Sequence, residues 1–438
     1  PMFLLRALPF RVTHPQLEVF DQRLRDSLNS RLSLPHPLPP SALLAHSQPI
    51  GNGGRGFRSL ALIAAAAKWA SATAVSFDIQ HLADAAPSPL PFMVDRAAAH
   101  RALIGLGVES FVPSADDEGL DLTKLPLDAA DIVGYYGSSP SVPGLQRALS
   151  LQLEKAQLTR FFDSSDCNPA DIVRFCSTKN KYTARWLATT TLHRHLSNKV
   201  VSLAVRLRDG LPPASWLPTH CRLGDCKADL AVNPWHCLSC PAIKCKSIYR
   251  RHNAVVNLLL RFARSHSSLA HPMKKDLSDR LPDGILHSTD RTVMFDVSGV
   301  SPTCPSYNHL GPGEAISGRE RSKTTKYFNF ARDRGAAFVP FVLDCFGSLG
   351  TRAMALLDNI VEESTLDANF GSRMSKSAFL TLLSVTWQAG NAAIFAEWSR
   401  LMREATSKRR PLPHRATVAP SAVPARPVSF EVSLPRRM

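Results

Sequence analysis

The sequence lacks several features that define common functional classes. No apolar run reaches the roughly 18 residues that a membrane-spanning helix needs, and Leu4-Leu5-Arg6-Ala7-Leu8-Pro9 is too short and interrupted for a signal peptide. The glycine-rich segment Gly51-Asn52-Gly53-Gly54-Arg55-Gly56 is not followed by Gly-Lys-Ser/Thr, which argues against a phosphate-binding loop and favours a turn. No internal repeat is present. Because the chain begins with Pro1 rather than Met, we expect a fragment of a longer product.

Acidic residues are scarce relative to basic ones. The 438 residues include 52 Lys and Arg against 36 Asp and Glu, which gives a net charge of +16. This excess favours a polyanionic partner, nucleic acid first and an acidic membrane second, over a basic protein with no such partner. With 44% hydrophobic residues, a chain of this length can bury sizeable cores in two or three domains.

Cysteines are few, odd in number and clustered. Five of the nine fall within 25 residues beside a histidine, which favours a metal site in a reducing compartment over a disulfide framework. The predicted Zn²⁺ ligands are Cys221, Cys226, His236 and Cys240. Cys237 and Cys245 are alternative thiols, but the gap from His236 to Cys240 lets both side chains turn inward. Four protein ligands leave no position for water, so we predict a structural zinc.

Residue spacing predicts helices first and a small sheet later. The predicted helices are 14–32, 57–72, 144–162, 170–208, 247–266, 314–334, 350–361 and 374–403, and the predicted strands are 272–277, 281–287, 292–298 and 337–343. After residue 219 the order is a helix, three strands, a helix and a strand, which is typical of an α/β sandwich. The overall class is therefore α+β.

Two aspartates flank a predicted hairpin. Asp283 ends Arg280-Leu281-Pro282-Asp283, Asp296 ends an apolar run, and Ser288-Thr289-Asp290-Arg291 between them predicts a tight turn. Pairing of the two strands would bring both carboxylates to one end of the sheet. Such oxygen ligands suit Mg²⁺, which suggests metal-assisted phosphodiester hydrolysis. The alternative is a pair of solvated acids.

A nuclease site also needs a lysine near the attacking water or the developing charge. Its usual position, two residues after the second acid, is occupied by Ser298. Lys323 and Lys326 lie three residues apart in a predicted basic helix and hence on one helical face. Either could reach the acids if this helix packs across the sheet; otherwise it is a solvated or phosphate-contacting face.

These features resemble a known family. The motifs are, in order, the Cys221-Cys226-His236-Cys240 set, Arg251-His252-Asn253, Pro282-Asp283, Asp296-Val297-Ser298, Pro305-Ser306-Tyr307, the Lys323/Lys326-Tyr327 helix, and Phe338-Val339-Pro340-Phe341-Val342-Leu343-Asp344-Cys345-Phe346-Gly347. As an ordered set they resemble the C-terminal region of site-specific non-LTR retrotransposon proteins that carry a restriction-like endonuclease. The N-terminal segments Gly53-Gly54-Arg55-Gly56-Phe57-Arg58-Ser59 and Trp69-Ala70-Ser71 look like the region that follows the polymerase palm in these proteins.

The resemblance implies a PD-(D/E)xK nuclease fold whose lysine is displaced onto the following helix. Asp283 and Asp296 would bind Mg²⁺, and Lys323 or Lys326 would be catalytic. Nucleic-acid contacts are assigned to Arg250, Arg251, His252 and Arg280. The implied partners are target DNA, element RNA and an upstream polymerase domain of the same polyprotein, without a membrane, in the nucleus.

The resemblance also divides the chain. The segments are a helical post-polymerase region (1–110), a helical linker region (111–218), a zinc knuckle (219–246), the endonuclease domain (247–365), C-terminal helices (366–406) and a disordered basic tail (407–438). The sequence departs from the family in a wider first cysteine pair and in Asp344, where glutamate is common. It lacks a Tyr/Phe-x-Asp-Asp motif, so the polymerase active site is absent. Two alternatives remain: a nucleic-acid-binding zinc module with an inactive nuclease fold, and a scaffold for the polymerase.

Overall fold

A computed structural model shows a mixed α/β protein, mostly helical with a small four-stranded sheet. It describes residues 5, 9–84, 91–108, 110–111, 120–121, 145–187, 196–243, 246–266, 268–273, 281–288, 291–307, 309–364 and 373–408. The chain divides into two compact units. The first contains Pro1–Ala184, Val205–Leu211 and Tyr307–Ala315, and the second contains Arg185–Ala204, Pro212–Ser306 and Ile316–Met438.

Helices account for most of the described residues. They are α1 (Phe10–Arg31), α2 (Pro40–Ser47), α3 (Leu60–Asp84), α4 (Pro91–Gly105), α5 (Leu145–Phe162), α6 (Pro169–Thr178), α7 (Asn198–Arg208), α8 (Lys246–Arg264), α9 (Glu314–Arg332), α10 (Thr351–Ser364) and α11 (Lys376–Lys408). A two-stranded antiparallel pair, β1 (Ser110–Phe111) and β2 (Leu120–Asp121), lies in the first unit.

The core of the first unit forms around the alanine-rich helix α3, which packs against α1, α4 and α5. The glycine-rich segment before it makes a turn, as predicted. Gly53 has φ +90°, and a Cβ at Gly54 would overlap the carbonyl of Gln48. The carboxylate of Asp21 then accepts hydrogen bonds from Leu60 N at 3.1 Å and Ala61 N at 3.0 Å, which satisfies two amides at the start of α3.

The second unit contains the four-stranded sheet. Its order is β3 (Leu269–Pro272), β4 (Gly284–His287), β5 (Thr292–Val300) and β6 (Ala337–Asp344). The first three strands are antiparallel and β6 runs parallel to β5, an arrangement that needs a crossover connection. Helix α9 provides it, so the predicted order of a helix, three strands, a helix and a strand is observed.

Strand β3 lies earlier than predicted. The sequence favoured a strand that starts at Pro272, but β3 ends there. The four residues Leu269–Pro272 pair in full register with the four residues of β4. Proline has no amide hydrogen to continue a ladder, so it fits the end of an edge strand.

Helices α8 and α10 pack on the sheet, and the long helix α11 packs against both of them. As predicted, Val255, Val256, Leu259 and Phe262 are buried on α8, which packs against β3, β4 and β5, whereas α10 packs against β6. Helix α11 packs along α8, with Phe379 and Phe262 ring centroids 4.6 Å apart. Lys376–Thr406 is long and apolar enough to cross a membrane by composition, but 56% of its most apolar window is buried inside the protein.

Candidate nuclease site and zinc centre

The two predicted carboxylates lie side by side on neighbouring strands. Gly284 pairs with Phe295, so Asp283 and Asp296 occupy the next positions of the antiparallel β4 and β5. The backbone amide of Asp283 also donates to Phe295 O at 2.9 Å. Both residues are nearly buried, at 6% and 4% exposure. Buried carboxylates need partners, and each of these has one.

The carboxylate of Asp283 is held on both oxygens. The amide of Val297 donates to Oδ2 at 2.8 Å, and His252 Nε2 lies 3.0 Å from Oδ1. His252, for which nucleic-acid contact is predicted, lies in the cleft lining and contacts this acid. The second turn of α8, which carries His252, therefore fixes the orientation of Asp283.

The carboxylate of Asp296 contacts the predicted basic helix. Lys323 Nζ on α9 lies 2.7 Å from Asp296 Oδ2. Lys326 Nζ lies 4.7 Å from the ring centroid of the buried Tyr327. Helix α9 therefore packs across the sheet, and it brings Lys323 into contact with one of the two acids.

Helix α9 is also anchored by a buried glutamate. Glu320, one turn before Lys323, accepts a hydrogen bond from Arg352 N at 3.2 Å at the start of α10. Burial raises the pKa of Glu320. Gly350 leaves room for this carboxylate, because a Cβ there would overlap Glu320 Oε1. The anchor fixes the rotation of α9 that aims Lys323 at Asp296.

The acids open into a cavity of about 360 Å³, called the carboxylate cleft below. Both predicted lysines, His252 and Arg251 line it. The remaining walls include Leu238, Ile248, Tyr327 and Trp387. Of the other predicted nucleic-acid contacts, Arg250 is exposed on α8, and Arg280 lies outside the described residues.

Arg251 has a packing role that the sequence did not reveal. Its guanidinium lies 4.1 Å from the ring centroid of Trp387 and donates to Asn391 Oδ1, both on α11. Its side chain lies against Gly390, where a Cβ would overlap the Arg251 stem. Arg251 therefore ties α8 to α11 at the wall of the cleft.

Replacing Arg251 by alanine should lower the free energy of unfolding of the second unit by about 2–4 kcal/mol. The change removes a cation–π contact and deprives the buried Asn391 carbonyl of a charged donor. Arg251→Lys should recover only part of the loss, because an ammonium cannot reproduce the planar stack. Urea unfolding followed by tryptophan emission measures this. Arg250→Ala is the matched control, and equal losses in both variants would contradict the assignment.

The segment after β6 forms a tight turn to which two side chains of α11 donate hydrogen bonds. Asp344 Oδ1 accepts from Phe346 N at 2.9 Å and Ser348 N at 2.8 Å. Trp387 Nε1 donates to Asp344 O at 2.7 Å, and Asn391 Nδ2 donates to Cys345 O at 2.7 Å. Asp344 is fully buried in this turn. Its carboxylate therefore fixes the conformation of the turn whose backbone carbonyl accepts the Trp387 hydrogen bond.

The four predicted zinc ligands come together in a second centre. Cys226 Sγ lies 3.1 Å from His236 Nε2 and Cys221 Sγ lies 3.9 Å from Cys240 Sγ. All four ligand atoms lie within 4.8 Å of one another, the scale of a tetrahedral shell with Zn–S bonds of about 2.3 Å. This Cys₃His cluster could bind zinc. Cys245 lies outside the described residues.

The neighbouring thiol, Cys237, is fully buried and is not one of the clustered ligands. The one-turn helix His236–Leu238 directs His236 into the cluster. The hydrogen bond between the two thiols lowers the pKa of Cys221 and raises that of Cys240, so Cys221 ionises more readily than Cys240. The cluster also rests on α11, where Met402 Sδ accepts from Arg222 N at 3.2 Å.

Comparison with known proteins adds no assignment: no protein-family model matches the chain, and a search of curated proteins finds no match.

Proposed function

We propose that this chain is a metal-dependent DNA endonuclease of the PD-(D/E)xK type with an attached structural zinc knuckle, from a non-LTR retrotransposon protein. The observation that carries the proposal is the 2.7 Å contact between Lys323 on α9 and Asp296 on β5. It supplies the lysine that Ser298 cannot provide, from the helix on which the sequence predicted it. Two buried acids, a lysine and a solvent-accessible cleft are the parts that phosphodiester hydrolysis needs.

The donor set of the cleft fits Mg²⁺. Asp283 and Asp296 are oxygen donors at one end of the sheet, and Mg²⁺ takes one or two carboxylates and completes its shell with water and phosphate oxygens. When bound, the ion would polarise the phosphate and acidify a water molecule. Among the described residues, the zinc cluster is the one group of three or more close Cys, His, Asp or Glu ligands, so the cleft would supply two protein ligands.

The side chains of the cleft have separable tasks. Val297 N and His252 keep the Asp283 carboxylate in one orientation, which limits reorganisation when the substrate binds. The Lys323 ammonium, which lies 2.7 Å from Asp296 Oδ2, would stabilise the negative charge that develops on the phosphate. Lys326 at the cleft wall supplies further positive charge to hold the DNA backbone.

The proposed role in the element follows from the family resemblance. A nick in target DNA would expose a 3′ end that primes reverse transcription of element RNA by an upstream polymerase domain. The net charge of +16 supports nucleic-acid partners, and the zinc knuckle and Arg250 would contact phosphates. This activity would take place in the nucleus.

Replacing Lys323 should separate its role from that of Lys326. We expect Lys323→Met to lower the rate of supercoiled-plasmid nicking by roughly 100-fold, and Lys326→Met by about tenfold or less, because Lys323 Nζ lies 2.7 Å from Asp296 Oδ2 and Lys326 Nζ lies 4.7 Å from the centre of the Tyr327 ring. Reactions run with added Mg²⁺ and without divalent metal, since a chelator would also attack the zinc centre. Nicking that needs no divalent metal, or that survives loss of both lysines, would rule out the proposed site.

One observation favours a second function. Each acid already contacts a basic group of the chain, His252 or Lys323, an arrangement that could also stabilise an inactive fold. The chain would then be a binding module that docks DNA or element RNA. Plasmid binding without nicking in Mg²⁺ would support this alternative.

A further inference from the structure

Helix α8 carries a continuous polar stripe along its solvent side. Its members recur at alternating steps of three and four residues, and at about 100° per residue they fall within an arc of about 80°. Apart from Tyr249, every exposed residue of α8 belongs to the stripe. The six residues, called the outer stripe below, are Lys246, Arg250, Asn253, Asn257, Arg261 and Arg264.

The outer stripe faces away from both the sheet and the carboxylate cleft. The core residues Val255 and Leu259 lie about 160° around the helix from the middle of the stripe. The cleft-lining residues Ile248, Arg251 and His252 lie about 120–180° from it. Because a helix with its side chains is about 10–12 Å across, a ligand on the outer stripe leaves the cleft open.

Positive charge on the outer stripe is not offset within its own helix. The sequence of α8 contains no Asp or Glu. Glu397 of α11 contacts the start of α8, where its carboxylate accepts hydrogen bonds from the amide and the hydroxyl of Ser247. The stripe has its cations at the two ends, Lys246 with Arg250 and Arg261 with Arg264, and its asparagines in the middle.

This arrangement has the dimensions of a DNA major groove. A rise of about 1.5 Å per residue separates Asn253 from Asn257 by about 6 Å along the helix axis, and Arg250 from Arg261 by about 16 Å. The major groove of B-form DNA is about 12 Å wide and admits an α-helix. The two arginines can therefore reach phosphates along both edges of the groove, while the carboxamides lie over the base pairs. A carboxamide has the donor and the acceptor that pair with the edge of adenine.

Other polyanions fit the outer stripe less well. Membrane-surface helices insert apolar side chains among the lipids, but the stripe has none, and the apolar side chains of α8 are buried in the core. Duplex RNA has a deep and narrow major groove that side chains cannot read. The combination of terminal cations and central amides therefore favours duplex DNA.

We propose that the outer stripe of α8 docks in the major groove of duplex DNA. Asn253 and Asn257 read adenines there, and Arg250 and Arg261 bind the flanking phosphates. Recognition then takes place on one side of α8, and the carboxylate cleft lies on the other. The docking does not depend on the proposed nuclease function, because it uses none of the acids or lysines of the cleft.

Binding to a pool of duplexes of about 20 bp with a randomised centre tests the base reading. The bound duplexes are sequenced after selection by the full chain in buffer without divalent metal. We expect the unaltered chain to enrich sequences with adenine at fixed positions. Asn253→Ala and Asn257→Ala should each lower affinity for the enriched duplex by roughly tenfold. Their affinity for the unselected pool should stay within about twofold of that of the unaltered chain.

Arg250→Gln and Arg261→Gln test the phosphate contacts. Each should weaken binding to selected and unselected duplexes alike, and should reduce the slope of log affinity against log salt concentration by about one. Arg400→Gln is the matched control, because this exposed arginine of α11 pairs with Glu404 and lies outside the stripe. Its affinity and its salt slope should equal those of the unaltered chain.

Thermal unfolding verifies that each variant is folded. Alanine is a better helix former than asparagine, so the two alanine variants should not lose stability. A selected pool that stays random, or asparagine variants that keep the enriched sequence, would overturn the proposal. Arginine variants that bind as Arg400→Gln does would also overturn it, as would an equal loss of the asparagine variants on duplex RNA.

The same variants separate DNA docking from DNA cleavage. A chain that never nicks plasmid but loses its sequence preference in the asparagine variants would retain the docking and reject the nuclease. A chain that nicks plasmid in Mg²⁺ while every variant of the outer stripe binds DNA normally would reject the docking and retain the nuclease.

Discussion

Asp283→Asn and Asp296→Asn, made singly, should each lower the plasmid nicking rate by at least about 1000-fold, because loss of a metal-binding carboxylate removes several kcal/mol of stabilisation from the transition state. Asparagine is nearly isosteric with aspartate. It can still accept the Val297 amide hydrogen bond at position 283. The loss should therefore be one of activity, with the fold retained.

The midpoint of thermal unfolding distinguishes a loss of activity from a loss of the fold. Each variant should unfold within a few degrees of the unaltered chain, because hydrogen bonds to the carboxamide replace those to the carboxylate. Asp358→Asn is the matched control: this exposed aspartate pairs with Lys376 on the surface, and surface ion pairs contribute about 0–1 kcal/mol. Nicking by both Asn variants at the rate of the control would remove Asp283 and Asp296 from the site.

Cys226→Ser should abolish stoichiometric zinc binding and strongly destabilise the second unit. Cys226 is one of four clustered ligands, and serine replaces a thiolate with a poor zinc ligand. Structural zinc contributes about 10–16 kcal/mol of apparent binding free energy in zinc-finger peptides. Part of that free energy should appear here as folding stability. Zinc content per chain and the unfolding midpoint with and without chelator measure the two effects.

Cys237→Ser provides the control for this experiment. Cys237 is adjacent to the ligand His236 but is buried outside the cluster, so its serine variant should lose some stability while keeping one zinc per chain. Retention of zinc by Cys226→Ser, or its loss from Cys237→Ser, would show that the ligand set is different. Zinc loss should also slow nicking, because Leu238 in the turn that begins at His236 lines the carboxylate cleft.

Much of the fold could be predicted because local patterns determine it. The apolar spacing of α8 and the apolar runs of β5 and β6 each indicate which residues are buried. A hairpin turn between two short strands was enough to place Asp283 beside Asp296. The three-residue spacing of Lys323 and Lys326 placed both on the face that lines the cleft.

The remaining parts of the site depend on contacts between residues far apart in sequence. His252 meets Asp283, and Arg251 meets Trp387, through packing that no local period encodes. The buried state of Asp344 likewise depends on α11, whose indole donor reaches its carbonyl. Glu397 on α11 even accepts the amide of Ser247 at 3.0 Å at the start of α8. These partners follow only from the assembled fold.

The position of Trp387 in the chain affects how the site is made during synthesis. The zinc cluster, both acids and both lysines all precede α11, yet Trp387 on that helix forms a wall of the cleft and holds the turn after β6. Domains tend to fold as units during translation. The carboxylate cleft therefore cannot be completed until α11 leaves the ribosome. A premature stop before α11 would yield a chain with every proposed catalytic residue and no finished cleft.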